Sequence, residues 1–138
     1  CRPTIEMSLG AVQTASEGSG TSTQRLFAAV TAFTKVVLQR QANIAIYFRE
    51  EKNLSPQALL EINELRKKFD RTLSDMLQQG VDAKEFTVPD VRLAALAIGG
   101  MISWAYTWHR PAGRLSLDEM GMRMAELALR MVGATPPA

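Results

Sequence analysis

Few residues of this chain carry side chains that could do chemistry, and those few are scattered. His109 is the only histidine and Cys1 is the only cysteine, whereas a zinc site or a histidine-based catalytic triad needs several such groups together. Glu50 and Glu51 are adjacent, so they cannot share one helical face as a paired acid and base. No glycine-rich phosphate loop is present. The sequence therefore predicts a protein that is not an enzyme and that uses no metal or cofactor.

One arginine and two tryptophans have positions that favour a role in binding rather than in catalysis. Arg66 lies between Ile62 and Phe69, on the inward edge of its helix, where a guanidinium could meet a carboxylate, a thioester carbonyl or a phosphate. The alternative is an exposed arginine that only covers apolar surface with its stem. Trp104 and Trp108 are four residues apart and would share a helical face. They could line a pocket or pack in a core or a dimer interface.

The overall composition is that of a soluble globular protein. Apolar residues make up 46% and charged residues 22% of the 138 residues, which we expect to form one domain spanning residues 1–138. The 16 basic and 14 acidic side chains give a net charge of +2, which is too balanced to indicate nucleic-acid binding by this chain. Because Cys1 cannot form an internal disulfide, we expect a reducing compartment, the cytoplasm.

Helical periodicity and capping signals predict an all-α fold of five to six helices with short connections. A short helix over residues 4–16 precedes a polar loop of glycine and serine. Apolar spacing then indicates helices over Ser22–Arg40, Ala42–Glu51 and Ser55–Gln79, the last of them ended by Gly80. Ser116 begins the final helix, with Glu119 completing a capping box.

The stretch from Leu93 to His109, called here the uncharged segment, has no formal charge. It is shorter than the roughly 20 apolar residues that a membrane span needs, so we expect a helix of a water-soluble protein that is buried on two sides. Leu93, Leu96, Ala97 and Trp104 would pack on the same chain. The opposite side, Ala95, Ile98, Ile102, Ala105 and Tyr106, would meet a second copy, with Gly99 and Gly100 allowing close approach.

The last helix has an apolar stripe of its own, so the last two helices of each of two chains are expected to form an intermolecular four-helix bundle. The residues predicted for this dimer interface are Ile98, Ile102, Ala105, Leu117, Met120, Met124, Leu127 and Met131.

The turn after the uncharged segment carries a recognisable motif, WHRPAGRLS from Trp108 to Ser116. It resembles the W-Y-R-P-x-G-R-L-S turn between the last two helices of a subset of TetR-family transcriptional repressors, the acyl-CoA-responsive regulators of fatty-acid and steroid degradation. Tyr47-Phe48-Arg49-Glu50 and Leu54-Ser55-Pro56 resemble the same subset. His109 departs from it, because the subset more often has tyrosine there.

The resemblance implies that the chain is the effector-binding and dimerisation domain of such a repressor. It would bind an apolar effector of the acyl-CoA type, form a homodimer, and control DNA only through an N-terminal helix-turn-helix domain that lies outside this chain. Arg110 and Arg114 would then contact coenzyme A phosphates or, alternatively, cap the preceding helix. The residues expected to contact the effector are Phe33, Ile62, Arg66, Phe69, Leu73, Met101, Trp104 and Trp108.

Two further alternatives stay open at this point. One is a helical interaction module that dimerises and binds no small molecule. The other concerns the first residue, which is Cys1 and not methionine: we expect an upstream domain, and the alternative is a mature lipoprotein anchored at Cys1. The methionines, among them Met101, would suit either a pocket that accepts varied acyl groups or ordinary gap filling in a core.

Overall fold

The second helix is the centre of the fold, and the other long helices pack around it. In the computed structural model, which describes residues 2–135, the helices are α1 (Arg2–Ser16), α2 (Ser22–Gln39), α3 (Gln41–Glu50), α4 (Pro56–Asp82), α5 (Val91–Ser103) and α6 (Leu117–Met131). Short 3₁₀ turns follow α3 (Glu51–Asn53) and α5 (Trp104–Thr107). The described residues contain no β-strand, which confirms the predicted all-α fold. The alternatives concerning Cys1 lie outside the described residues.

The core forms where apolar residues recur every three or four positions along α2. Leu26, Val30, Phe33 and Val37 lie on one face of this helix and are buried, because that spacing brings side chains to the same side. They belong to one apolar cluster with side chains from the other helices, among them Leu73, Leu77, Ile98, Ile102 and Leu129. This single core fixes α1, α4, α5 and α6 around α2.

The predicted helix starts are confirmed by their capping groups. The Ser55 hydroxyl accepts a hydrogen bond from the Ala58 amide at 3.1 Å, with Pro56 as the first helical residue. Ser116 and Glu119 form the expected capping box at the start of α6. These signals are local and depend on residues within one turn, which is why the sequence was sufficient to locate them.

Gly80 does not end α4, contrary to the prediction. The helix continues to Asp82, and Gly80 is a buried position inside it. A Cβ atom at this position would overlap the ring of Phe86, which folds back from the loop after α4. The glycine therefore serves a close contact between the helix and its following loop.

The uncharged segment is not one continuous α-helix. The α-helix stops at Ser103 and a 3₁₀ turn follows to Thr107. The side-chain amide of Gln41 donates hydrogen bonds to the carbonyl oxygens of Tyr106 at 2.7 Å and His109 at 2.8 Å. Because Gln41 bonds to these carbonyls, the α-helix can end here without leaving them unpaired.

The side of α5 that is buried within its own chain is the opposite of the one expected. Ala95, Ile98, Ile102 and Ala105 are completely buried within the single chain, whereas Leu93, Leu96 and Trp104 are exposed. Because this helix is apolar on both sides, periodicity alone gave no way to tell the inner face from the outer one. Within residues 2–135, no helix combines the length and the apolar character needed to cross a bilayer.

Candidate functional site

Residues from five helices line a partly open, mostly apolar cavity of about 330 Å³ beside the core. This volume lies in the range of small-molecule sites, about 300–1,000 Å³, which are mostly apolar with a few polar groups. The helix α4 contributes Arg66, Phe69 and Asp70, and the remaining lining residues come from α1, α2, α3 and α5: Thr4, Ile5, Ser8, Phe33, Val37, Ile44, Tyr47, Phe48, Leu96, Gly99, Gly100 and Ser103.

Two phenylalanines form the inner part of the cavity. The ring centroids of Phe33 on α2 and Phe69 on α4 are 4.7 Å apart, and the planes are inclined by 55°. Both side chains are buried and belong to the main core cluster. The cavity therefore rests on residues whose positions are fixed by core packing.

The helix α3 supplies an aromatic wall on the opposite side. Tyr47 is its only buried residue, and the Tyr47 ring packs edge-on against Phe48 with 5.3 Å between centroids. Phe48 in turn stacks on Tyr106 at 5.4 Å with 12° between the planes. This stack joins α3 to the 3₁₀ turn after α5, at the same place where Gln41 binds two carbonyls of that segment. The wall is thus attached to the end of α5.

Arg66 is the cation of the cavity lining, and its guanidinium lies over the Tyr47 ring, 5.9 Å from the centroid. Among residues 2–135, no carboxylate forms an ion pair with Arg66. Burial raises the pKa of the Tyr47 phenol, and the positive charge of Arg66 partly offsets that rise. The guanidinium is therefore positioned by an aromatic ring and still has donors for a ligand oxygen.

Asp70 lies one helical turn after Arg66 and also faces the cavity. Burial raises the pKa of the Asp70 carboxyl, and the nearby charge of Arg66 acts in the opposite direction. The polar end of the cavity therefore combines a fixed positive charge with a carboxyl group whose ionised form is disfavoured by burial. Such an end suits a ligand oxygen, while the apolar remainder suits a hydrocarbon group.

Metal binding finds no support in the part of the chain that the structure describes. No group of three or more histidine, cysteine, aspartate or glutamate side chains there could hold an ion.

A family model described as the tetracyclin repressor-like C-terminal domain matches residues 19–132. The chain belongs to this TetR family of C-terminal domains. No curated protein sequence matches it significantly.

Solved structures of TetR-family regulators share the fold over nearly the whole chain. A regulatory protein of the TetR family from Rhodococcus RHA1 is 25% identical, with a TM-score of 0.86. The match covers 97% of this chain and 70% of the Rhodococcus chain. The regulator PfmR from Thermus thermophilus is 25% identical with a TM-score of 0.85, covering 94% and 70%. AibR, solved in complex with isovaleryl coenzyme A and operator DNA, is 19% identical with a TM-score of 0.75, covering 99% and 71%. The likeness to AibR is one of fold.

The cavity contains three of the residues that were predicted to contact an effector. Phe33, Arg66 and Phe69 line it together. Ile62 and Leu73 are buried on α4 outside the lining, and Met101 is half-buried and packs against the core cluster. Trp104 and Trp108 do not line the cavity and are 62% and 51% exposed.

The cavity also contains residues that the sequence analysis did not select. Tyr47, Phe48 and Asp70 line it, as does the α5 wall around Gly99. Tyr47 and Phe48 belong to the family resemblance described above, and that was a usable signal. The sequence carried no signal that Asp70 lines a cavity, because an aspartate one turn from an arginine is typical of a solvated helix face.

The residues predicted for a dimer interface divide into three groups. Ile98, Ile102, Ala105 and Met124 are buried within the chain and have almost no surface to offer a partner. Leu117 and Met120 are half-buried against the core. Leu127 is 51% exposed and Met131 46% exposed, one turn apart on α6.

Proposed function

We propose that this domain senses an apolar small molecule of the acyl-CoA type, forms a homodimer, and controls DNA binding by an N-terminal domain outside this chain. The observation that carries the proposal is the cavity of about 330 Å³, whose lining is mostly apolar and whose polar groups include Arg66, Asp70 and Tyr47. A thioester carbonyl or a carboxylate would accept hydrogen bonds from Arg66. The hydrocarbon part of the ligand would lie against Phe33 and Phe69.

The complex of AibR with isovaleryl coenzyme A and operator DNA supports this ligand class. A protein with the same fold thus binds an acyl thioester and an operator. The WHRPAGRLS turn, which is similar to that of acyl-CoA-responsive repressors, independently supports the same class of ligand. The adenine nucleotide portion of coenzyme A would lie outside the cavity.

The dimer surface that we propose differs from the one expected from the sequence. It consists of the exposed apolar residues Leu93, Leu96 and Trp104 from α5 and its 3₁₀ turn, together with Leu127 and Met131 from α6. Exposed large apolar side chains are typical of interaction sites where they form a patch, and a symmetric homodimer uses the same surface on both chains.

The helix α5 would connect ligand binding with dimer geometry. Leu96 lines the cavity and is also exposed beside Leu93, so a movement of α5 that fits a ligand also moves part of the proposed interface. A ligand changes the arrangement of two subunits only if it binds one arrangement more tightly than the other. The spacing of two DNA-binding domains would follow that arrangement.

The decisive experiment is a binding measurement on the whole chain. Thermal shift and isothermal titration with butyryl-, octanoyl- and palmitoyl-CoA, and with the matching free acids, should give stabilisation by at least one series. If no member stabilises the protein, the sensing function is rejected. Sedimentation on the same samples would then decide whether the domain acts only in assembly.

A further inference from the structure

Two of the four residues that α5 contributes to the cavity lining are glycines and have no side chain. Leu96, Gly99, Gly100 and Ser103 line the cavity from this helix, and their spacing places them on one helical face. Two adjacent glycines at the middle of that face lie inside a regular α-helix. Each glycine weakens a helix relative to alanine, so two adjacent glycines on one lining face are a feature to be explained.

Backbone geometry and internal packing do not supply this requirement. Neither Gly99 nor Gly100 has a positive φ angle. A Cβ atom at Gly99 would lie 3.8 Å from Cε1 of Phe69, an ordinary van der Waals contact, and a Cβ atom at Gly100 would have no neighbour within 4 Å. Alanine would therefore fit at either position in the folded chain.

Two other helical glycines show what a packing requirement looks like. A Cβ atom at Gly80 would overlap the Phe86 ring, and a Cβ atom at Gly121 would lie 3.1 Å from both Cγ2 and the carbonyl oxygen of Thr31. Both of these glycines are buried. By contrast, no atom of the chain would lie closer than 3.8 Å to a Cβ atom at Gly99 or Gly100, and both positions line the cavity.

We propose that Gly99 and Gly100 determine the size of the ligand that the cavity accepts, because they leave the α5 wall open for the apolar part of the ligand. This inference rests on the proposed function and specifies which positions of the cavity control selectivity. The chemical class concerned is an acyl chain or another hydrocarbon group, since the lining outside α5 is mostly apolar and includes Phe33, Phe69 and Tyr47. Side chains at 99 and 100 would shorten the space available to it.

A second copy of the chain could also use a glycine surface, since Gly100 is exposed and small residues permit close approach of helices. The two explanations predict different defects. If the glycines serve a ligand, added methyl groups reduce the affinity for long acyl chains. If they serve a partner helix, the same methyl groups weaken the dimer.

The test compares Gly99→Ala, Gly100→Ala and Gly100→Leu with the matched control Gly10→Ala. Gly10 is also a helical glycine at which an added Cβ atom would have no neighbour within 4 Å, but it does not line the cavity. All three alanine variants should melt at a higher temperature than the parent without ligand, because each gains helix propensity. This result also shows that the variants fold.

Titration with butyryl-, octanoyl- and palmitoyl-CoA then gives the decisive comparison. We expect Gly99→Ala and Gly100→Ala to lose affinity for palmitoyl-CoA by about 10- to 200-fold, the usual effect of one methylene in a fitted apolar pocket. Gly100→Leu should lose more, butyryl-CoA should be affected least, and Gly10→Ala should bind like the parent.

Three results would overturn the inference. An unchanged ligand preference in the cavity variants would show that the glycines do not control selectivity. Unchanged ligand binding with a weaker dimer in sedimentation would assign them to the subunit interface. If the parent chain binds no member of the series, the proposed function fails and this inference fails with it, which separates that case from the first two.

Discussion

The guanidinium carbon of Arg66 lies 5.9 Å from the centre of the Tyr47 ring and so joins α4 to α3 across the cavity. This separation is near the outer limit of a cation–π contact. Tyr47 is also the one buried residue of α3, so this contact involves the residue that attaches α3 to the rest of the domain. Arg66 thereby belongs both to the wall of the cavity and to its polar end.

Replacing Arg66 with alanine should weaken ligand binding by about 10- to 150-fold, because a hydrogen bond to a charged group contributes roughly 1.5–3 kcal/mol. Arg66→Lys should recover only part of the loss, since lysine keeps the charge but not the planar donor fork. Isothermal titration with the tightest-binding acyl-CoA measures both effects. Arg71→Ala is the matched control, an exposed arginine on the same helix that does not line the cavity. Equal affinities for Arg66→Ala and Arg71→Ala would remove Arg66 from the site.

Gly80→Ala should destabilise the domain by about 1–3 kcal/mol, the usual effect of overpacking a filled core. The added methyl group would overlap the Phe86 ring, which is buried. Urea unfolding followed by circular dichroism measures the change. Gly10→Ala should shift the midpoint in the opposite direction, because nothing lies near that position. A Gly80→Ala variant as stable as Gly10→Ala would contradict the close contact.

The sequence predicted the local capping signals correctly but not the packing between residues far apart in the chain. The Ser55 and Ser116 caps depend on residues within one turn, and both were predicted correctly. Gly80 was misread as a helix terminator, since its real neighbour, Phe86, arrives from a loop whose path the sequence does not reveal. The inner and outer faces of α5 were exchanged, because Leu96 and Ile98 are equally apolar and only tertiary packing decides which is buried.

The candidate cavity was predictable to the extent that its residues also belong to the core. Phe33 and Phe69 follow the helical apolar pattern and were found. The sequence did not predict that the α-helix ends at Ser103, because the 3₁₀ turn that follows is stabilised by Gln41 from a different helix. A contact between residues so far apart in the chain has no local signature. That Trp104 and Trp108 contact an effector stays a prediction.

Thr34→Val should stabilise the domain by about 1 kcal/mol, because a buried hydroxyl without a partner carries a desolvation penalty. Thr34 is fully buried, and its Oγ1 has no hydrogen-bond partner among the described residues. Thr31→Val is the control, since the Thr31 hydroxyl donates to the Phe27 carbonyl oxygen at 2.8 Å. Thermal unfolding should show a smaller gain, or a loss, for Thr31→Val. A loss of stability in Thr34→Val would mean that its hydroxyl has a partner after all.

Glu85 should make the stability of the domain sensitive to acid. Its carboxylate accepts hydrogen bonds from the Ser22 amide at 3.1 Å, the Thr23 amide at 2.9 Å and the Thr23 hydroxyl at 2.8 Å. These bonds hold the pKa of Glu85 below its ordinary value of 4.5. The stabilisation is therefore fully present above that value and is lost as the pH falls through the lower pKa of the folded state.

Glu85→Gln should accordingly lower the free energy of unfolding at pH 7 by about 0.5–1 kcal/mol, a modest effect because the group is near solvent. The difference from the parent should shrink as the pH falls below about 4.5, the ordinary glutamate range. Urea midpoints measured from pH 7 to pH 3 provide the test, with the exposed Glu17→Gln as control. A difference that stays constant over this range would reject a role for the Glu85 charge.

Placing glutamate at both Leu127 and Met131 should convert the proposed dimer into a monomer. Both side chains are exposed on α6 in the single chain, and burying an apolar side chain of this size contributes about 1.5–3 kcal/mol. Losing two such contacts weakens association by on the order of 100-fold or more, before the penalty of burying two charges is included. Sedimentation velocity across micromolar concentrations measures the change.

Leu60→Glu is the control, since Leu60 is an equally exposed leucine on α4, and it should leave the dimer intact. A melting temperature near that of the parent would show that the double variant still folds. A parent chain that sediments as a monomer, or a double variant that remains dimeric, would reject this surface as the interface.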